Sequence, residues 1–133
     1  MSQPQPIIFD SEGFSRAISR DLYIRGVVEK SYTLGLPVIV SAATIVEVIH
    51  PNMNQAAYNW TRSRLDIIPV SEEIAVAAAK MLMDNKMHGH KHAIDALVAA
   101  TALVFGGHPT IFTSDPDDFR KLVGKRASIV ALR

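Results

Sequence analysis

Cysteine is absent from all 133 residues. That removes disulfides, thiolate zinc sites and cysteine nucleophiles together, and it fits a reducing compartment such as the cytoplasm. No uncharged apolar run reaches the roughly 18 residues of a membrane span. The opening MSQPQP has no basic region leading into an apolar core, so no signal peptide is expected there. Excess charge is missing too: the formal net charge is +1. Proteins that grip nucleic acid chiefly through phosphates are usually more basic, which argues against a broad DNA-coating surface. RNA stays open, because a carboxylate-rich pocket can mask basic residues elsewhere. No G-x-G-x-x-G follows a strand-like run, which removes a dinucleotide site. The lack of a phosphate-cradling glycine loop likewise argues against a phosphatase or phosphoryl-transfer enzyme using Asp10 as nucleophile.

Hydrophobic residues make up 48% of the chain, enough for the core of one domain spanning 1–133, with residues 1–6 as a flexible tail. Strand-like and helix-like segments alternate. Ile7–Phe9 predicts a strand, and Asp10-Ser11 can cap a helix near Glu12–Arg20. Asp21–Leu34 has helical spacing and a stop at Gly35. Pro37–Val40 predicts a buried strand. A helix follows from Ala42 to about Ile49, broken at His50-Pro51. Asn54–Arg64 is helical, Leu65–Val70 strand-like, and Ser71-Glu72-Glu73 starts a helix to about Met87. HGHKH is a polar break. Ala93–Phe105 is a helix, Thr110–Thr113 a strand, Pro116–Val123 a helix and Ala127–Ala131 a last strand. Strands separated by helices imply an α/β fold, a mainly parallel sheet covered on both faces.

Four acids stand beside core elements: Asp10, Glu47, Asp95 and Asp115. Acids are seldom buried without a partner. In open α/β sheets, ligands bind beyond the carboxyl ends of the strands. Asp10 and Asp115 each follow a strand, and Glu47 lies in the helix leaving another. Asp95, in the first turn of its helix, depends on the fold to reach that edge. Each has a local explanation as well. Asp10 and Asp115 could be helix caps, and Asp95 could be stabilised by its helix N-terminus. Glu47, flanked by Ile45-Val46 and Val48-Ile49, has no local partner. Two carboxylates about 5 Å apart repel by roughly 3 kcal/mol at an effective dielectric of about 20. A cluster of four therefore takes up protons or holds a cation. Oxygen ligands favour Mg2+ or Mn2+ over zinc. Such an ion can polarise a phosphoryl oxygen, generate hydroxide from water and steady a leaving oxygen, which is the chemistry of phosphodiester hydrolysis.

The motifs IIFDSEGF, SAATIVEVIH, HAIDALVAATAL and TSDPDDF, spread from Ile7 to about Val130, resemble those of PIN domains, and more narrowly of the small bacterial VapC-type toxins. The last two are quite specific in combination. The resemblance implies a three-layer α/β/α PIN-like domain with a five-stranded sheet. It also implies an Mg2+- or Mn2+-dependent ribonuclease, a homodimer, and inhibition by a small antitoxin partner. Carried over residue by residue, it makes Asp10, Glu47, Asp95 and Asp115 the metal-holding catalytic acids. Asp118 is a nearby accessory, and Ser11 and Thr113 are hydroxyls able to bond acids, water or phosphate. The competing reading is a catalytically silent PIN-like module that binds RNA or protein. Glu12, an acid where many relatives are neutral, reads as a solvated helix residue.

Other features read as structural. His88, His90 and His92 alternate, and in an extended loop their rings would not converge on zinc. Tyr58 and Trp60 suit packing or an interface as well as base stacking. Met81, Met83 and Met87 suit a core or partner-facing helix.

Overall fold

The computed structural model describes residues 5–133. Its strands are set by short β-branched and aromatic runs whose side chains alternate between faces. They are β1 (Ile7–Phe9), β2 (Val38–Ser41), β3 (Asp66–Ile68), β4 (Thr110–Thr113) and β5 (Ser128–Ala131). All five form one sheet in the order β3-β2-β1-β4-β5, and every neighbouring pair is parallel. Seven helices among the described residues complete the chain: α1 (Ser11–Ile18), α2 (Leu22–Leu34), α3 (Ala43–Val48), α4 (Gln55–Arg64), α5 (Glu72–Asp84), α6 (Gly89–Phe105) and α7 (Pro116–Val123). None is long and apolar enough to cross a membrane.

Alternation on the strands divides the interior into two cores. Ile8, Ile39 and Ile111 face α5, α6 and α7, where Ile74, Ala99 and Phe119 are buried. Phe9, Val40 and Phe112 face α1, α2 and α4, where Phe14, Val28 and Tyr58 are buried. The three-layer arrangement expected from the sequence is therefore present. Burying one such side chain contributes about 2 kcal/mol. A one-residue slip would turn each strand's inward set the wrong way, so the two faces fix the register.

Local signals do the rest. Asp21, Asn54 and Ser71 cap α2, α4 and α5 by accepting from Ile24 N, Ala57 N and Ile74 N. Gly35 ends α2 in the left-handed region at φ 71°, the conformation glycine adopts most readily. β3 stops at Ile68 and is shorter than expected, because Pro69 has no N–H to donate. The polar break expected at HGHKH is instead a helical turn at the start of α6. It is separated from the rest by non-helical dihedrals at His92, φ −117° and ψ 16°. Of the expected tail, residues 1–4 lie outside the described residues. Gln5 accepts from His108 N at 2.6 Å, and Pro6 O accepts from Thr110 N at 3.0 Å.

Sheet order decides where a site can form. From β1 the chain builds outward through β2 and β3, then returns to the other side of β1 for β4 and β5. The carboxyl ends of β1 and β4 are thus the switch point, where a crevice opens in such sheets. Phe9 is in register with Phe112, which sets Asp10 and Thr113 at that crevice.

Candidate metal centre

Asp10 is the fixed member of the cluster and is 4% exposed. It caps α1, with Oδ1 accepting from Gly13 N at 3.0 Å, and Oδ2 accepts from Ser114 N at 3.2 Å. Burial pushes its carboxyl above the ordinary value. Hydrogen bonds from the Thr113 hydroxyl and from the Gly13, Ser114 and Glu12 backbones oppose that shift. The capping role anticipated for Asp10 is therefore real and coexists with its place at the crevice.

Thr113, fully buried at the end of β4, links two acids. Its hydroxyl bonds the Asp10 carboxylate and accepts from Asp115 N at 2.8 Å. It acts as a positioning residue. Asp115 occupies the N-cap position of α7, yet its side chain makes no capping hydrogen bond and is exposed. Capping does not account for this carboxylate. Ser11 opens α1, half-buried beside Asp10.

Asp95 lies on α6 three residues past the dihedral break at His92, so it falls in the first turn of the regular part of that helix. Its carboxyl is pushed up from 3.8 to about 6. Burial is the largest cause, followed by the negative charges of Asp115, Asp10, Asp118 and Glu47. The four sequence-predicted acids and Asp118 thus share one electrostatic neighbourhood centred on Asp95. Glu47 joins it for a different reason than its apolar neighbours suggested. Val46 is 81% exposed, Ile49 is exposed and so is Glu47, because α3 is a short surface helix. Glu12 is engaged elsewhere, in a 2.8 Å ion pair with Arg16.

Among the described residues, no lysine or arginine forms an ion pair with Asp10, Glu47, Asp95 or Asp115. A carboxylate group left uncompensated in this way, at the switch point, fits a hard divalent cation.

Histidine 92 was not expected here. One ligand atom from each of His92, Asp95 and Asp118 lies within 4.8 Å of the other two. His92 Nδ1 is 3.7 Å from Asp118 Oδ2. The alternating histidines pointed to an extended loop, but the segment is helical. The break at His92 sets that residue at the entry to the regular part of α6, three positions before Asp95. His88 and His90 are exposed, with ring centroids 5.7 Å apart. The aromatic features resolve as packing: Tyr58 stacks on Phe14, and Arg25 lies over Trp60.

The sheet order, the two helical layers and the crevice between β1 and β4 define a PIN-like α/β domain. Comparison with protein-family models gives no match. Comparison with curated proteins gives none either. Solved structures do share the fold. VapBC2 from Rickettsia felis, crystallised with a DNA fragment from its promoter, contains a chain that superposes with a TM-score of 0.72 at 14% identity. The match covers 97% of this chain and 100% of that one. A chain of a toxin–antitoxin complex from Klebsiella pneumoniae gives 0.64 at 22% identity, covering 94% and 96%. These neighbours bear out the fold that the resemblance to VapC-type PIN domains implied.

Proposed function

We propose that this chain is a divalent-metal-dependent endoribonuclease, cytoplasmic, and the toxin of a toxin–antitoxin pair. The observation that carries the reading is the set of acids from four chain segments around Asp95, with no lysine or arginine paired to Asp10, Glu47, Asp95 or Asp115. Asp10, Glu47, Asp95 and Asp115 would hold Mg2+ or Mn2+, with Asp118 beside them. When bound, such an ion activates water and neutralises charge on a phosphodiester. The remaining work falls to the chain. Gly13, Ser114 and Thr113 hold the Asp10 carboxylate in place. Exposed Asp115 and Glu47 rim the crevice and can adjust to a ligand. Without a cation, these acids would repel RNA phosphates, so substrate approach requires the metal.

The partner reading draws on the fold shared with chains from toxin–antitoxin complexes. A homodimer or an antitoxin would cover the apolar exposure along α2, where Leu22 is 90% exposed and Tyr23, Tyr32 and Leu34 are also open.

The test is RNA cleavage with Mg2+ or Mn2+, comparing wild type with Asp95→Asn in protein freed of any antitoxin. Cleavage by wild type, abolished by EDTA and strongly reduced in Asp95→Asn, supports the reading. Equal cleavage by both proteins removes Asp95 from the site. No cleavage of any RNA by either favours the catalytically silent module.

A further inference from the structure

The acid cluster has a nitrogen donor at its edge, His92, within ion-pair range of Asp118. The His92 side chain is 16% exposed, and its ring makes no hydrogen bond among the described residues. Its nearest polar partner, Asp118 Oδ2, is 3.7 Å from Nδ1, too far for a hydrogen bond. The ring shares its space with Asp95 and Asp118, and one ligand atom from each lies within 4.8 Å of the others. Two donors on one first-row ion stand at most about 4.4 Å apart, given bond lengths of about 2.0–2.2 Å. Three donors spread evenly around such an ion stand about 3.6 Å apart, so the three atoms must draw together by up to about one ångström to share one cation. Asp118, from α7, would complete a set drawn from two elements.

Resting on the metal-dependent reading above, we infer that His92 is a nitrogen ligand to the cation of this cluster and biases the site toward a transition metal over magnesium. Carboxylates serve Mg2+ and Mn2+ alike, whereas imidazole strengthens binding of the later first-row ions far more than that of Mg2+. His88 and His90 stay outside the cluster and serve as internal controls.

The experiment uses the untagged chain loaded with Mn2+ and pulsed electron paramagnetic resonance, which reads bound imidazole directly through nitrogen hyperfine coupling. Coupling is expected in wild type, in His88→Ala and in His90→Ala, and is expected to vanish in His92→Ala. Calorimetry with Co2+ and Mg2+ runs in parallel. His92→Ala should lose about tenfold or more in Co2+ affinity and no more than about twofold in Mg2+ affinity. Mn2+ bound without nitrogen coupling in wild type, or coupling that survives in His92→Ala, overturns the inference and leaves an oxygen-only site with the proposed function intact. Failure of wild type to bind Mn2+, Co2+ or Mg2+ overturns both.

Discussion

The backbone N–H of Ser114 donates to Asp10 Oδ2 at 3.2 Å, although the two residues are 104 positions apart. The bond ties the end of β1 to the end of β4, and Asp10 also caps α1. Asp10→Ala would leave a buried donor unpaired and remove a cap. It is expected to destabilise the protein by about 2–3 kcal/mol and to abolish cleavage. Urea denaturation measures the first effect, and wild-type stability in the variant would contradict the structural role.

Asp115 should separate the two effects. Its carboxylate caps nothing and is exposed. Asp115→Asn is expected to change stability by less than about 0.5 kcal/mol while reducing cleavage by about 100-fold. Because Asp115 is the strongest of the charged neighbours acting on Asp95, the same substitution should lower the Asp95 pKa. An NMR titration of the Asp95 carboxyl checks this.

The raised pKa of Asp95 predicts how the metal-free protein responds to pH. Folding shifts this group from 3.8 to about 6. Between those values the folded state holds more protons than the unfolded one, so stability falls as pH rises through the window and then levels off. The loss should be on the order of 1 kcal/mol once solvent screening of a half-buried group is allowed for. Asp95→Asn, with chelator present, should be more stable than wild type at neutral pH by a similar amount. Equal melting temperatures at pH values above and below the window would refute this.

Cation binding must displace the same proton. Mn2+ affinity is expected to rise by about tenfold per pH unit below pH about 6 and to flatten above it. Calorimetry in buffers of different ionisation enthalpy would count the released protons. A flat affinity from pH about 5 to 7 would remove Asp95 from the ligand set.

Gly13 is a second route to the Asp10 pin. A Cβ built there would stand 3.0 Å from both Cβ and Cγ of Phe9, a side chain with no exposed surface. Gly13→Ala should cost about 1–3 kcal/mol through overpacking. It should also lower cleavage, because Gly13 N is the donor that holds Asp10 Oδ1. Unchanged stability would show that the Phe9 ring can move aside.

The sheet was legible because each strand is a short run rich in β-branched or aromatic residues, and each of the first four is followed by a helix start. Strand order was not legible: nothing local to Ile7–Phe9 says that β4 will lie beside it. Asp10 and Asp115 could be placed at the carboxyl edge from their positions after strands. Asp95 could not, since only the packing of α6 brings it there. Glu47 was anticipated from apolar neighbours that prove largely exposed, because periodicity in a six-residue helix cannot separate core from surface. His92 was missed because three alternating histidines resemble an extended loop, and a break in helical dihedrals leaves no compositional trace.

The adjacency of β1 and β4 also governs when the site can exist during synthesis. Asp10 leaves the ribosome early, but Thr113 and Ser114, which hold it, emerge about a hundred residues later. Until then the acids on the nascent chain have no common crevice. A chain halted before β4 carries Asp10, Glu47 and Asp95 yet cannot pin Asp10 between β1 and α7. Completion of the site therefore waits for β4, and under the proposed function an incomplete chain is expected to spare the RNA on which it is being made.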